Sequence, residues 1–252
     1  MENNKTNNFL LLLFLICINM TSWAQDKSLE YYKQGDIYAK SQQYEKALEQ
    51  YNLSIEKDIG FYKAYRNKGS VLSRLGNYKD AIIAYDKAII LDDSDYLLFH
   101  IKGEALFKIG LYQDALNSFN QTINLNPNCY NAYIGKGVVF HELNQPQKAI
   151  DNFNKAIELN PKCYEAYINK MCPLFSLGLY QEVIEACDKA IALDLNRDNL
   201  YGVHTNRGVA LNKLKRYKEA VEAAEIALKL NPKHELAIFV KKHALSCLNS
   251  KE

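Results

Sequence analysis

The sequence predicts an all-α protein, an α-solenoid of tandem helical hairpins, on three observations. Ala47, Ala81, Ala115, Ala149 and Val183 recur at intervals of 34 residues, and Ala220 follows after 37. A fixed period of this size marks an array of one supersecondary unit. Each unit holds two apolar-periodic stretches long enough for about four helical turns each. Glycines and prolines separate the stretches where helices turn or stop.

The array aligns as six copies, 28–61, 62–95, 96–129, 130–163, 164–200 and 201–234. Positions within a copy are numbered here as slots 1 to 34, with helices expected over slots 1–14 and 17–30. Slot 8 reads Gly35, Gly69, Gly103, Gly137, Met171 and Gly208. Slot 20 is the alanine series, and slot 27 reads Ser54, Ala88, Thr122, Ala156, Ala190 and Ala227. Small residues at these slots let paired helices approach toward the short end of the usual spacing of about 8–10 Å. Gly76, Gly110, Gly178 and Asn144 occupy slot 15, which suits a left-handed helix stop. Pro127, Pro161 and Pro232 at slot 32 end the second helix. Of 18 tyrosines, all but Tyr32 and Tyr38 fall in slots 1, 4, 17 and 24. A repeated aromatic stripe reads as core, each ring opposite a small-residue slot.

These motifs resemble the tetratricopeptide repeat family over about residues 28–234: a large residue at slot 4, glycine at 8, alanine at 20, an aromatic at 24 (Tyr51, Tyr85, Phe119, Phe153), a small residue at 27 and proline at 32. One departure is systematic. Slot 7, leucine in the family, is Gln34, Lys68, Lys102, Lys136, Lys170 and Arg207. The resemblance implies a right-handed superhelix whose concave groove is lined by slots 2, 5, 6, 9, 12 and 13 of the first helices. The groove then has a basic half (Lys33, Lys40, Lys63, Arg66, Asn67, Arg74, Lys108) and an apolar half (Ile134, Val138, Ile168, Cys172, Phe175, Val209). The carboxylate clamp of some members is matched in part by Arg66 and Asn67 and broken by Leu97, Ile101 and Gly135.

The function expected is a non-catalytic protein-interaction scaffold that holds a peptide segment or helix of a partner. The alternative is an electrostatic binder of an anionic polymer or envelope surface, through the basic half and the slot 7 cations. A net charge of +2 and tyrosines committed to the core argue against nucleic acid. No cofactor or metal is expected. The five histidines fall in unrelated slots, and "HELNQ" and "HELAI" lack the second histidine of a zinc motif. Homo-oligomerisation stays open.

Outside the array, residues 1–24 read as a signal peptide, with apolar "FLLLLFLICINM" before Ser22 and Ala24; an uncut anchor is the alternative. A linker over 25–27 would follow, and the protein is expected to be exported, periplasmic or secreted. The mature part keeps five cysteines (Cys129, Cys163, Cys172, Cys187, Cys247), none in CxxC spacing, which read as small hydrophobes. Residues 235–249 are expected to cap the array, with Leu236, Phe239, Val240 and Leu248 inward and Lys241, Lys242 and Ser246 in water; 250–252 form a tail. The fifth copy departs most. Met171, Pro173, Val183, Cys187, Leu195 at slot 32 and the extra Asp198-Asn199-Leu200 predict a bent, irregular joint, since an interior proline removes a helix bond.

Overall fold

The computed structural model describes residues 23–193 and 200–249. Every regular element among them is an α-helix. The first, α1, covers 23–40. It is followed by α2 (Tyr44–Lys57), α3 (Tyr62–Arg74), α4 (Tyr78–Leu91), α5 (Tyr96–Lys108) and α6 (Tyr112–Leu125). Then come α7 (Tyr130–Glu142), α8 (Pro146–Leu159), α9 (Tyr164–Ser176), α10 (Tyr180–Leu193), α11 (Tyr201–Lys213), α12 (Tyr217–Leu230) and α13 (Glu235–Asn249). The chain divides into two compact units, Met1–Leu125 and Asn126–Glu252. The first holds hairpins α1/α2, α3/α4 and α5/α6; the second holds α7/α8, α9/α10 and α11/α12 with α13 against the last.

The expected signal segment lies outside the described residues except for Trp23 and Ala24, as do Leu195, Asp198 and Asn199 of the fifth copy. Residues 25–27 are not a linker but helix, the early turns of α1. No proline or glycine interrupts them, and Lys27 Nζ pairs with Glu30 Oε2 at 2.8 Å one turn on.

Six first helices end alike, at slot 13. Slot 15 is left-handed in every hairpin: Gln42, Gly76, Gly110, Asn144, Gly178 and Lys215 have φ between 54° and 80°. The slot 16 N–H then bonds the slot 11 carbonyl, as in Asn77 to Leu72 (2.9 Å) and Arg216 to Leu211 (2.9 Å). This is the Schellman closure. Glycine is favoured at slot 15, yet the closure tolerates Gln42 and Lys215. Second helices stop for a reason the prolines only partly signal. Slot 31 is Asp or Asn, and its side chain accepts the slot 33 N–H: Asp58 from Gly60 (2.9 Å), Asp92 from Ser94 (3.0 Å), Asn160 from Lys162 (3.2 Å). These Asx turns offer the backbone an alternative to the helix.

Packing inside a hairpin is set by slots 8, 20, 24 and 27. The residues of slots 20 and 27 are fully buried in every copy. In four copies the slot 24 ring lies directly on the bare glycine of slot 8. A methyl added at Gly69 would sit 2.5 Å from Tyr85, and one at Gly103 would sit 2.8 Å from Phe119. No side chain larger than hydrogen fits there.

The fifth copy solves the same problem in reverse. Met171 at slot 8 is 1% exposed, and slot 24 shrinks to Cys187, whose thiol meets the Met171 sulfur at 3.8 Å. The large group has moved from the second helix to the first. Helix α9 runs unbroken through the buried Pro173 from Tyr164 to Ser176, the same 13 residues as α3, α5, α7 and α11. Within the described part of the fifth copy, the departures at slots 8 and 24 thus compensate each other, and α9 is not interrupted at Pro173. Burial pushes the Cys187 thiol up to about 12, so it packs as a neutral small hydrophobe.

The sixth copy uses a third solution. Slot 24 is Ala224, and Val240 of α13 supplies the missing bulk: a methyl on Gly208 would sit 2.9 Å from Val240 Cγ1. Asn212 Nδ2 also donates to the Val240 carbonyl at 3.1 Å. The inward face of α13 is Ala237, Val240 and Ala244. Leu236 and Phe239, expected inward, are 45% and 64% exposed. The small alanines bring α13 close to α12 and turn those large side chains out.

Two predictions follow from this packing. Met171→Gly should cost about 2–5 kcal/mol, as a lost methionine side chain in a core does. Cys187→Phe alone should also destabilise, by about 1–3 kcal/mol of overpacking. Combined, they should recover most of the loss, read as the midpoint of urea unfolding. Additive losses would refute the compensation. The second concerns His204, which stands at slot 4 of the sixth copy where other copies carry a ring. Burial, and then the Arg207 charge, hold its imidazole below the ordinary value near 6.5, with Asp188 opposing. The folded state thus takes up the proton less readily than the unfolded chain. Stability should be full above pH 6.5 and fall as pH drops from there through the lowered value. Comparing thermal midpoints at neutral and mildly acidic pH, His204→Phe should flatten that decline.

Candidate functional site

The first unit carries a cleft of about 400 Å³ between α1, the start of α2 and α3. Its walls come from first-helix slots 9, 12 and 13 of the first copy and 6, 9, 10 and 13 of the second. The closed hairpin turn brings Gln42 and Tyr44 to one end. The floor is a hydrogen-bonded cluster. Tyr51 donates its hydroxyl proton to Asp36 Oδ1 at 2.7 Å, and Asn67 Nδ2 donates to the same oxygen at 2.8 Å and to the Tyr32 hydroxyl at 3.0 Å. Burial first, and then the Asp36 carboxylate, hold the Tyr51 hydroxyl well above the ordinary tyrosine range and raise that of Tyr32, so both stay protonated.

Arg66 extends the cluster sideways. Its Nε reaches Asn67 Oδ1 at 3.3 Å, and its Nη1 pairs with Asp95 Oδ2 at 2.9 Å. The other Asp95 oxygen accepts the Leu97 N–H at 3.0 Å and caps α5. Arg66, expected as a free groove cation, is thus committed to holding three first helices in register. Lys40 and Arg74, both at slot 13, are exposed on the rim of the cleft. With Ser70 on the wall they leave its mouth positive, against the single half-buried carboxylate of Asp36.

The remaining expected residues distribute differently. Lys33, Lys63 and Lys108 are exposed and do not line the cleft; Lys63 Nζ lies 5.9 Å over the Tyr62 ring. In the second unit Ile134 is withdrawn into the core with Phe153, because slot 5 there faces its own second helix. Val138, Ile168, Phe175 and Val209 are half-buried, and Cys172 is exposed.

The slot 7 cations have a partner the sequence reading missed. Lys102 meets Asp86 at 2.6 Å, and Arg207 meets Asp188 at 2.8 Å. Both acids stand at slot 25 of the preceding copy. Helix α13 continues the pattern: Lys241, at its own slot 7, meets Glu225 of the sixth copy at 2.8 Å. The acids were legible in the sequence only after the junction geometry was known. Tyr32, by contrast, carried a visible signal, being one of two tyrosines outside the repeating slots.

Models of the tetratricopeptide repeat match residues 32–96, 130–163 and 202–234, together just over half of the chain. No curated protein sequence matches it. Among solved structures, YrrB, described as a TPR protein with an unusual peptide-binding site, is 23% identical; the match covers 76% of this chain and 97% of YrrB with a TM-score of 0.63. MamA is 25% identical over 63% of this chain and 93% of its own, with a TM-score of 0.60. The pilF protein of Pseudomonas aeruginosa is 17% identical over 88% and 98%, with a TM-score of 0.71. The motif residues, the hairpin order and these matches agree: the chain belongs to the tetratricopeptide repeat family.

Proposed function

We propose that the protein is a non-catalytic interaction scaffold, exported from the cytoplasm, that holds an acidic peptide segment of a protein partner at the cleft of the first unit. The fold is one of protein-interaction scaffolds, and a relative of similar fold, YrrB, has a peptide-binding site. One observation carries the ligand chemistry: Lys40 and Arg74 stand exposed on the rim of a cleft whose floor carboxylate, Asp36, is held by Tyr51 and Asn67. The floor offers the Tyr51 and Tyr32 hydroxyls and the Asn67 amide beside which a backbone can lie, and the rim cations meet a carboxylate. Rim pairs of this kind steer encounter and select partners more than they add affinity.

The anionic-polymer reading has less support, since Lys102 and Arg207 of the proposed ladder are engaged by acids.

Labelled peptides of equal length, acidic, neutral and basic, offered to the purified protein should bind in that order by fluorescence anisotropy. Lys40→Glu with Arg74→Glu should weaken the acidic peptide by roughly tenfold, equal to about 1.4 kcal/mol. Lys108→Glu, outside the cleft, should change it little. Equal binding of acidic and basic peptides would refute the reading. A steep fall in affinity with salt for a polyanion, unaffected by the rim variants, would favour the polymer instead.

A further inference from the structure

Helix α13 carries His243 and Cys247 one turn apart, with Cys247 Sγ 3.9 Å from His243 Nε2. The imidazole is fixed from two sides. It stacks on Phe239 (6.2 Å, 29°) and meets Tyr217 edge-on (6.3 Å). The Tyr217 hydroxyl is hydrogen-bonded to Cys247. Imidazole with thiolate is a donor set suited to zinc. Bond lengths of about 2.0 Å to nitrogen and about 2.3 Å to sulfur put two tetrahedral ligands about 3.5 Å apart, a shift of only about 0.4 Å from the separation seen. Among the described residues no three histidine, cysteine or acidic side chains gather to hold a metal. His243 and Cys247 of one chain would supply two of the four ligands of such a shell.

Among the described residues, no element covers the Leu236 and Phe239 end of the same side of α13. Leu236 and Phe239 are 45% and 64% exposed, while the inward Ala237, Val240 and Ala244 are spent on the sixth copy. Leu236, Phe239, His243 and Ser246 succeed one another at the three- and four-residue spacing of a helix-pairing seam. A second α13 related by a two-fold axis would cover the apolar end of the seam and bring the matching ligand pair, because such an interface is made of the same patch twice.

We propose that two copies of the chain pair through α13 and hold one zinc-class divalent ion with His243 and Cys247 of both. The ion takes two imidazole nitrogens and two thiolates, the Cys2His2 set of a closed structural site, and each thiol loses its proton to solvent on binding. This site is independent of the cleft in the first unit, and its failure would leave the peptide reading untouched.

The purified chain, kept reduced with a phosphine, would be titrated with cobalt(II) and then zinc while its mass is followed by light scattering. Expected are thiolate-to-cobalt charge-transfer absorption that saturates at one ion per two chains, displacement by zinc, and a doubled mass with metal. His243→Ala and Cys247→Ser should each weaken binding by more than the roughly tenfold that loss of an outer-shell partner costs. His243 is exposed and Cys247 half-buried, and circular dichroism checks that each variant stays helical. Cys172→Ser, which removes the most exposed thiol among the described residues, should bind as the parent does. Saturation at one ion per chain, a mass unchanged by metal, or absorption that survives either α13 variant would overturn the proposal.

Discussion

One contact sets the spacing of this molecule: a bulky group from slot 24 pressed onto a slot 8 position that has no side chain. It decides how near the two helices of a hairpin lie, and that distance in turn requires the fully buried small residues of slots 20 and 27. The volume must be filled, because a void forfeits the dispersion of every atom that lines it. Which atoms fill it is open. Tyr51, Tyr85, Phe119 and Phe153 do so from the second helix, Met171 does so from the first, and Val240 does so from the capping helix. The fold conserves the filled space rather than the residue.

A polar layer is built on that apolar frame. Tyr51 and Tyr85 have the ring the contact needs and add a hydroxyl, where Phe119 and Phe153 do not. Tyr85 meets Ser73 at 3.1 Å, a local contact within its hairpin. Tyr51 instead finds Asp36, and through Asn67 and Arg66 the bonding passes from the first copy to the third. A partly buried network is tolerable only when its members find partners. Here Asp36 and Asn67 satisfy each other across two copies. The cleft is the place where a core position became polar and the surrounding first helices adapted to it.

Most of the architecture could be read from periodicity, because glycine at slot 8 and alanine at slot 20 exclude anything larger. What escaped was reciprocal. Met171 breaks the glycine column and by itself predicts an irregular joint; its counterpart stands 16 residues away, in Cys187. Lys102 and Arg207 looked like free cations until Asp86 and Asp188 of another column were placed beside them. The face of α13 was misjudged for a similar reason. Apolar size alone favoured Leu236 and Phe239, whereas close approach selected Ala237 and Ala244. At the cleft, Arg66 and Asn67 were found by slot number, but their partners Asp36 and Tyr32 were not, since hydrogen bonds between copies leave no period in the sequence.

The junction ion pairs bear on how such a chain can change its length. Every copy after the first offers a cation at slot 7, and so does α13 with Lys241, whereas slot 25 is either an acid or asparagine (Asn52, Asn120, Asn154). A copy carrying an acid finds a basic neighbour whichever copy follows it, and a copy carrying asparagine leaves a lysine whose long stem can still reach water. No order of copies brings two carboxylates together at this place. Gln34, in the first copy, is the one neutral residue in the column, and no second helix precedes it among the described residues. Unequal recombination could therefore add or remove a whole 34-residue module without creating like-charge repulsion at the new seam. Copy number is electrostatically cheap to vary here, and the array can lengthen or shorten by whole modules rather than by redesigning them.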